Sequence, residues 1–290
     1  MTSKKTLKLL SKQQGFTLIE LVSVIVLLGI MAVGFTSFIG LTTQSYVNAT
    51  VRDELIASAR FSVERINREL RHAVPNSMRV TEAFDGSIKC LEFIPIKAST
   101  SYVDIPVAPE TAESEFPVIP FINQQGNDYL CSNCGDFVTV YPSSTAAVYT
   151  NLSSSVSSGR SFPITDIADD ATTSDQWTVT LANGSGVLFE EESPTRRLYV
   201  FDSPVSFCMS DAQGLVRYSN YPISVNQPLP PNNANQSLMA QNFEPLITYR
   251  PFEVIQPTQQ RNALVQIELR FSQNNEQIVF ENEVHVMNTP

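Results

Sequence analysis

Gln14-Gly15-Phe16-Thr17-Leu18-Ile19-Glu20-Leu21-Val22 is the segment around which this 290-residue chain is organised. Between Lys12 and Arg52 the only charged residue is Glu20, five positions past Gly15 in an otherwise apolar run. A charged side chain at the centre of a bilayer helix costs roughly 2.5 to 3.5 kcal/mol even on the lenient insertion scale, so an acid kept there implies a partner and a task.

On the N-terminal side, Lys4, Lys5, Lys8 and Lys12 supply four positive charges and no acid. Such a flank stays cytoplasmic, which orients the chain with its N-terminus inside. On the C-terminal side, Phe16 to Leu41 extends about 39 Å as a helix, enough to cross a hydrocarbon core of about 30 Å with some tilt. Two plainer readings compete. A secretory signal would be cut after a small-x-small site such as Ala32-Val33-Gly34, but Phe35, Phe38, Ile39 and Leu41 carry the apolar run past it. An uncleaved signal anchor would start at Met1.

A Lys-rich leader ending in Gly, followed by Phe-Thr-Leu-Ile-Glu-Leu and about twenty apolar residues, resembles the leader of type IV pilins and type II secretion pseudopilins. The resemblance implies cleavage between Gly15 and Phe16 by a prepilin peptidase and N-methylation of Phe16. It also implies pairing of Glu20 with the new N-terminal amine during assembly.

Beyond the span, Leu55, Ala59, Val63, Ile66 and Leu70 recur at helical spacing from Val51 to Ala73. Glu64 precedes Arg68 by four, a favourable surface pair. Pro75 ends the pattern, and no proline interrupts Phe16 to Val74, so one helix roughly 87 Å long is expected, with Gly29, Gly34 and Gly40 as places to bend. Its inner half is solvated by lipid or by like helices, and its outer stripe is expected to dock on a soluble domain.

Residues 76 to 290 read as strands. Ser87 to Ile96 is apolar on both faces, and Phe137 to Tyr141, Gln176 to Leu181, Arg197 to Asp202 and Val205 to Met209 are shorter candidates. Leu264 to Phe271 alternates strictly, Asn274-Asn275 offers a turn, and Gln277 to Met287 the return strand. Pro142 to Arg160 and Ser219 to Phe243 read as polar surface loops. The class is α+β, a long N-terminal helix (transmembrane, then amphipathic) followed by a β-rich head with antiparallel sheet. The divisions are a leader over 1–15, a membrane half over 16–41, an amphipathic half over 42–74 and a periplasmic or extracellular head over 75–290.

Without the four leader lysines, 15 basic residues face 29 acidic ones, a formal charge of −14. Nucleic acid is not an expected partner, because phosphate attraction needs clustered Lys and Arg. The one basic group outside the leader, Arg60, Arg65, Arg68, Arg71 and Arg79 with His72, is interleaved with Glu64 and Glu69 and reads as a salt-bridged helix face. Cys90, Cys131, Cys134 and Cys208 all lie in the exported part, where disulfides form. Four cysteines allow three pairings, and the CxxC at Cys131 leaves a small disulfide loop, a redox pair and a metal site open, with the loop favoured. No metal and no cofactor is expected: Asp166, Asp169, Asp170 and Asp175, and Glu190 to Glu192, lack EF-hand spacing. His72 and His285 lack zincin spacing and there is no nucleophile elbow, so no enzyme is expected.

Residues Tyr46-Val47, Arg52 to Leu55 and Ala59 to Ser77 are similar to the minor pilin-like proteins of mannose-sensitive haemagglutinin pili. Their Arg-x-x-Arg-Glu-Leu-Arg helix end is shared with J-type minor pseudopilins and W-type minor pilins. The resemblance implies a single-pass inner-membrane protein with a periplasmic head that initiates or caps a filament and sits at its tip. Its implied partners are the prepilin peptidase, other minor and major pilins, an inner-membrane assembly platform with its ATPase, and the lipid bilayer. A J-type pseudopilin of type II secretion and a tethered binding or adhesive domain that never polymerises are the alternatives.

Overall fold

The computed structural model describes residues 15–123, 125–150, 152–170, 173, 175–257, 262–274 and 276–286. The leader residues before Gly15 lie outside these, as do Asn275 of the expected turn and Met287 of the expected return strand. Helix α1 runs Leu18–Leu70, 53 residues unbroken through Gly29, Gly34 and Gly40. The chain divides inside this helix into two compact units, one ending at Val51 and one starting at Arg52.

In the first unit α1 exposes its apolar side chains all round, Leu18, Ile25, Leu28, Phe38 and Leu41 among them. Its few hydroxyls turn back on the helix: Thr36 donates to the Ala32 carbonyl at 3.0 Å, Thr42 to Phe38 at 2.9 Å and Ser45 to Leu41 at 3.0 Å. Such back-bonding satisfies these three donors without water, which suits a lipid-facing helix.

In the second unit α1 buries one stripe, Leu55, Ala59, Ser62, Ile66 and Leu70. Ser62 takes the central place expected for Val63, which is half-buried. Steps of four, three, four and four hold one line on a 3.6-residue helix, and Val63 sits about 100° off it. The helix stops at Leu70, short of Pro75, because the sheet captures the next residues: Val74 N–H donates to the Ile94 carbonyl at 2.8 Å and Ile96 N–H to His72 at 2.7 Å. The ion pair recorded in this stretch is Arg65 with Glu69, not Glu64 with Arg68, and Arg217 clasps Glu69 at 3.0 Å.

The strands follow in order: β1 (Arg79–Glu82), β2 (Ile88–Phe93), β3 (Ala98–Ser101), β4 (Glu115–Val118), β5 (Cys131–Ser132), β6 (Phe137–Val140), β7 (Ser158–Gly159), β8 (Ser161–Asp169) and β9 (Trp177–Leu181). Then come β10 (Leu188–Phe189), β11 (Arg197–Phe201), β12 (Val205–Ser210), β13 (Gly214–Ser219), β14 (Asn235–Ala240), β15 (Phe252–Ile255), β16 (Ala263–Gln273) and β17 (Glu276–Val286). The five-stranded sheet is β1-β2-β12-β13-β14, and the seven-stranded sheet runs β3-β11-β6-β8-β9-β4 with β5 on β8. A third sheet is β15-β16-β17. These pairings are antiparallel; the two-residue pair of β7 and β10 is parallel. The β12–β13 turn needs Gly214, at φ +80, since a Cβ there would lie 2.4 Å from the Ala240 carbonyl oxygen.

The core of the seven-stranded sheet is aromatic: Phe162 and Phe116 both meet Phe189 edge to face, at 5.0 and 5.7 Å. Each such fully buried side chain contributes about 1.5 to 3 kcal/mol. β16 alternates as expected, with Val265, Ile267, Leu269 and Phe271 buried and Gln266, Glu268 and Arg270 on the wetter face.

Both expected polar loops carry structure. Pro142 to Arg160 holds α2 (Thr145–Tyr149), capped by Ser144, with Val148 and Tyr149 buried. Ser219 to Phe243 holds β14, and Arg79 pins its Ser224 and Val225 carbonyls at 2.8 and 2.7 Å. Polar residues satisfy the backbone there through hydrogen bonds to the sheet, so composition alone misread them.

Candidate processing and assembly site

The residues singled out by sequence at the N-terminus lie at the start of α1. Gly15, Phe16 and Thr17 precede the helix and are exposed, with Phe16 at 83 %. Glu20 sits in the first helical turn. Its carboxylate accepts from the Thr17 amide and from the Thr17 hydroxyl, each at 3.4 Å, while the Glu20 amide donates to the Thr17 hydroxyl at 3.4 Å. This is a capping box, two orphan donors of the helix end satisfied reciprocally, and an acid here also meets the positive end of the helix dipole. Sequence reasoning missed Thr17; its signal is the Thr-x-x-Glu spacing itself.

The cap gives Glu20 a local role that competes with any role between subunits. Among the described residues no cation pairs with it. An exposed Gly15-Phe16 junction just before a capped helix leaves the peptide bond open to an enzyme, and the free carboxylate electron pairs open to an ammonium group.

Elsewhere the cysteines fall into two pairs. Cys90 on β2 lies directly opposite Cys208 on β12, and the two are bonded, both buried. Cys131 and Cys134 are bonded across the CxxC, with Cys134 N–H donating to the Thr165 carbonyl at 2.9 Å. Their sulfurs and a carboxylate oxygen of Asp136 lie within 4.8 Å of one another. A disulfide offers no thiolate to a metal, and the Asp136 oxygens are taken by Lys97, at 2.7 Å, and by the Tyr129 hydroxyl. Burial lowers the Lys97 pKa, but Asp136 and then Asp202 outweigh it and raise it overall. The acid runs are likewise engaged: Glu190 and Glu191 hold Arg160 at 2.9 Å each, and Asp166 is held below the usual carboxylate range by Ser132 and Thr165 hydroxyls.

Buried Glu92 on β2 anchors a polar network, accepting from Arg79 at 2.8 Å, Tyr221 at 3.0 Å and Ser206 at 3.4 Å. Burial, then Glu92, pushes the Tyr221 phenol up. The network ties β1, β2 and β12 together, and Tyr221 at its edge also lines an open cleft with Asp136, Phe137 and Asp202.

Residues 10–36 match the prokaryotic N-terminal methylation motif. The chain carries a type IV pilin leader. The match covers Gly15, Phe16 and Glu20 together with the first part of the exposed helix, the same region whose geometry is given above. α1 is long and apolar enough to cross a membrane, consistent with a single-pass anchor. No curated protein and no solved structure matches the chain.

Proposed function

We propose that this chain is a structural subunit of a membrane-drawn type IV pilus-like filament, cut between Gly15 and Phe16 and methylated on Phe16. Glu20 then pairs with the Phe16 amine of its own chain or a neighbour. The observation that carries this is a lone carboxylate in the first turn of α1, whose N-terminal part is apolar and exposed, inside a methylation motif. Pilin-like proteins build filaments and are not enzymes, and residues 16–41 would serve as anchor before assembly.

At finer grain we read the chain as a minor pilin-like protein of the MshO kind, acting with other pilins, an assembly platform and the prepilin peptidase to start a filament. Residues Ala59 to Ser77 support this, and so does the size of the head, since bulky heads pack poorly into a repeating shaft. Long homogeneous fibres from the purified chain would contradict the minor role. A tethered binding domain is the second reading, favoured by an open cleft of 680 Å³ lined by Asp136, Phe137, Leu152, Asp202 and Tyr221.

Two substitutions separate charge from cap. Gln serves a capping box as Glu does, so Glu20→Gln keeps the helix start and removes the charge, whereas Thr17→Ala breaks the cap and keeps the charge. The expected result is loss of filament incorporation in Glu20→Gln with normal membrane insertion, and retention in Thr17→Ala. Unimpaired incorporation of Glu20→Gln would sink the role given to the carboxylate.

A further inference from the structure

The 680 Å³ cleft of the head lies where the start of β6 and the end of β11 meet the chain leaving β13. Its lining includes Asp136 and Asp202 and, among the described residues, no cation. Lys97 holds both acids, Asp136 at 2.7 Å and Asp202 at 3.4 Å, from the neighbouring hollow that it lines with Tyr129. Two carboxylates therefore share one ammonium, and the cleft wall is left net negative. Asp136 is buried, its second oxygen taken by the Tyr129 hydroxyl, whereas the Asp202 side chain is 47 % exposed.

The floor is apolar. Phe137, Leu152 and Ile223 border it, each half-buried. Phe137 is paired in register with Phe201, which stacks on it at 5.5 Å, so Asp202 follows directly after the partner of the ring. A ring beside a carboxylate recurs in this head, each time with an arginine. Arg79 lies 3.6 Å from the Tyr149 ring and binds Glu92, and Arg270 lies 4.9 Å from the Tyr249 ring and binds Glu268. Arg160 lies 5.2 Å from the Tyr141 ring and binds Glu190. Phe137 and Asp202 repeat the ring and the acid, but among the described residues no arginine lies over Phe137.

We propose that the cleft binds an arginine side chain of a partner polypeptide, its guanidinium lying on Phe137 and donating to Asp202, with the apolar neighbours of that arginine on Leu152 and Ile223. The excess of negative charge asks for a cation, and the apolar floor asks that the cation be carried on an apolar segment. A guanidinium suits the place better than an ammonium, because its plane stacks on a ring while its edge offers a fork of donors to a carboxylate. A bare metal ion finds fewer open oxygens, since both of those on Asp136 are engaged. The volume is that of a side-chain or small-ligand site. The assignment gives the cleft of the tethered-domain reading its ligand class and rests on that cleft, not on whether the chain polymerises.

The test titrates the full-length chain, held in nanodiscs of uncharged phosphatidylcholine, with the blocked peptide acetyl-Leu-Arg-Ile-amide and follows the heat released. Saturable binding is expected. Replacing the arginine by citrulline, which keeps the shape and loses the charge, should weaken it at least about tenfold, and so should Asp202→Asn, an exposed change that leaves the core untouched. Glu115→Gln, which removes an exposed acid on β4, should leave the affinity unchanged. Absence of saturation up to about 1 mM overturns the site. Equal binding of the citrulline peptide, or an equal loss in Glu115→Gln, overturns it as well, the first by showing a site for neutral ligands and the second by showing general charge attraction. Filament incorporation is scored separately. A chain that assembles but binds no peptide overturns the site and leaves the filament reading standing; arginine-dependent binding by a chain that never assembles supports the site while the filament reading falls.

Discussion

Residues 18–47 and residues 52–70 belong to one helix, yet their side chains meet different surroundings. The first part exposes Leu, Ile, Val and Phe on every side and returns the Thr36, Thr42 and Ser45 hydroxyls to its own backbone. The second part buries one stripe and ties its flanks to the head through Asn67, Glu69 and Arg52. Secondary structure is therefore indifferent to the surroundings here; the pattern of side chains says which solvent each half is built for. The inner half is finished only by lipid or by other helices, and the outer half is finished by its own chain.

Substitutions break this contrast in graded ways. The largest stability effect is expected in the head from Cys90→Ser with Cys208→Ser, because that bridge closes a separation of 118 residues. The chain-entropy model gives about 5 kcal/mol for a loop of that size and under about 2 kcal/mol for the Cys131–Cys134 loop. Urea denaturation should rank them so, and equal losses would show that the Cys90 bridge adds nothing by spanning the head.

A smaller loss is expected at the stripe. Ile66, fully buried, should cost about 2 to 5 kcal/mol on replacement by Ala, whereas Ile25→Ala in the exposed half should leave head stability unchanged. Thermal melting of the two variants in detergent measures this, and a shared shift would erase the division between the halves. Smallest is a pH effect confined to the head. Burial raises the Tyr149 and Tyr221 phenols, so each favours the folded state while neutral. A group with a raised folded pKa gives stability that is full below its unfolded pKa and lost as pH rises past it, so the urea midpoint should hold to about pH 9 and fall above about pH 10. A midpoint flat to higher pH would mean the phenols ionise freely in place.

The helix, its two characters and the β16–β17 hairpin were legible because each rests on periodicity within one segment. Strand β2, apolar on both faces, was legible as a buried strand for the same reason. What stayed hidden depends on partners far away in sequence: β14 pairs because β13 presents an edge, and α2 is held because Tyr149 reaches the Ser77 carbonyl at 2.8 Å. At the site, Gly15, Phe16 and Glu20 were visible as a motif, while the Thr17 cap was overlooked although its spacing is local. Glu268 and Glu281 were visible one by one, but not as a directly opposed pair, since that needs the register of β16 on β17.

The account stands most directly on where the mature chain begins. Mass spectrometry of the protein isolated from membranes should find an N-terminal peptide starting at N-methylated Phe16. A chain beginning at Met1, or at Phe35 after a conventional signal cut, would contradict it.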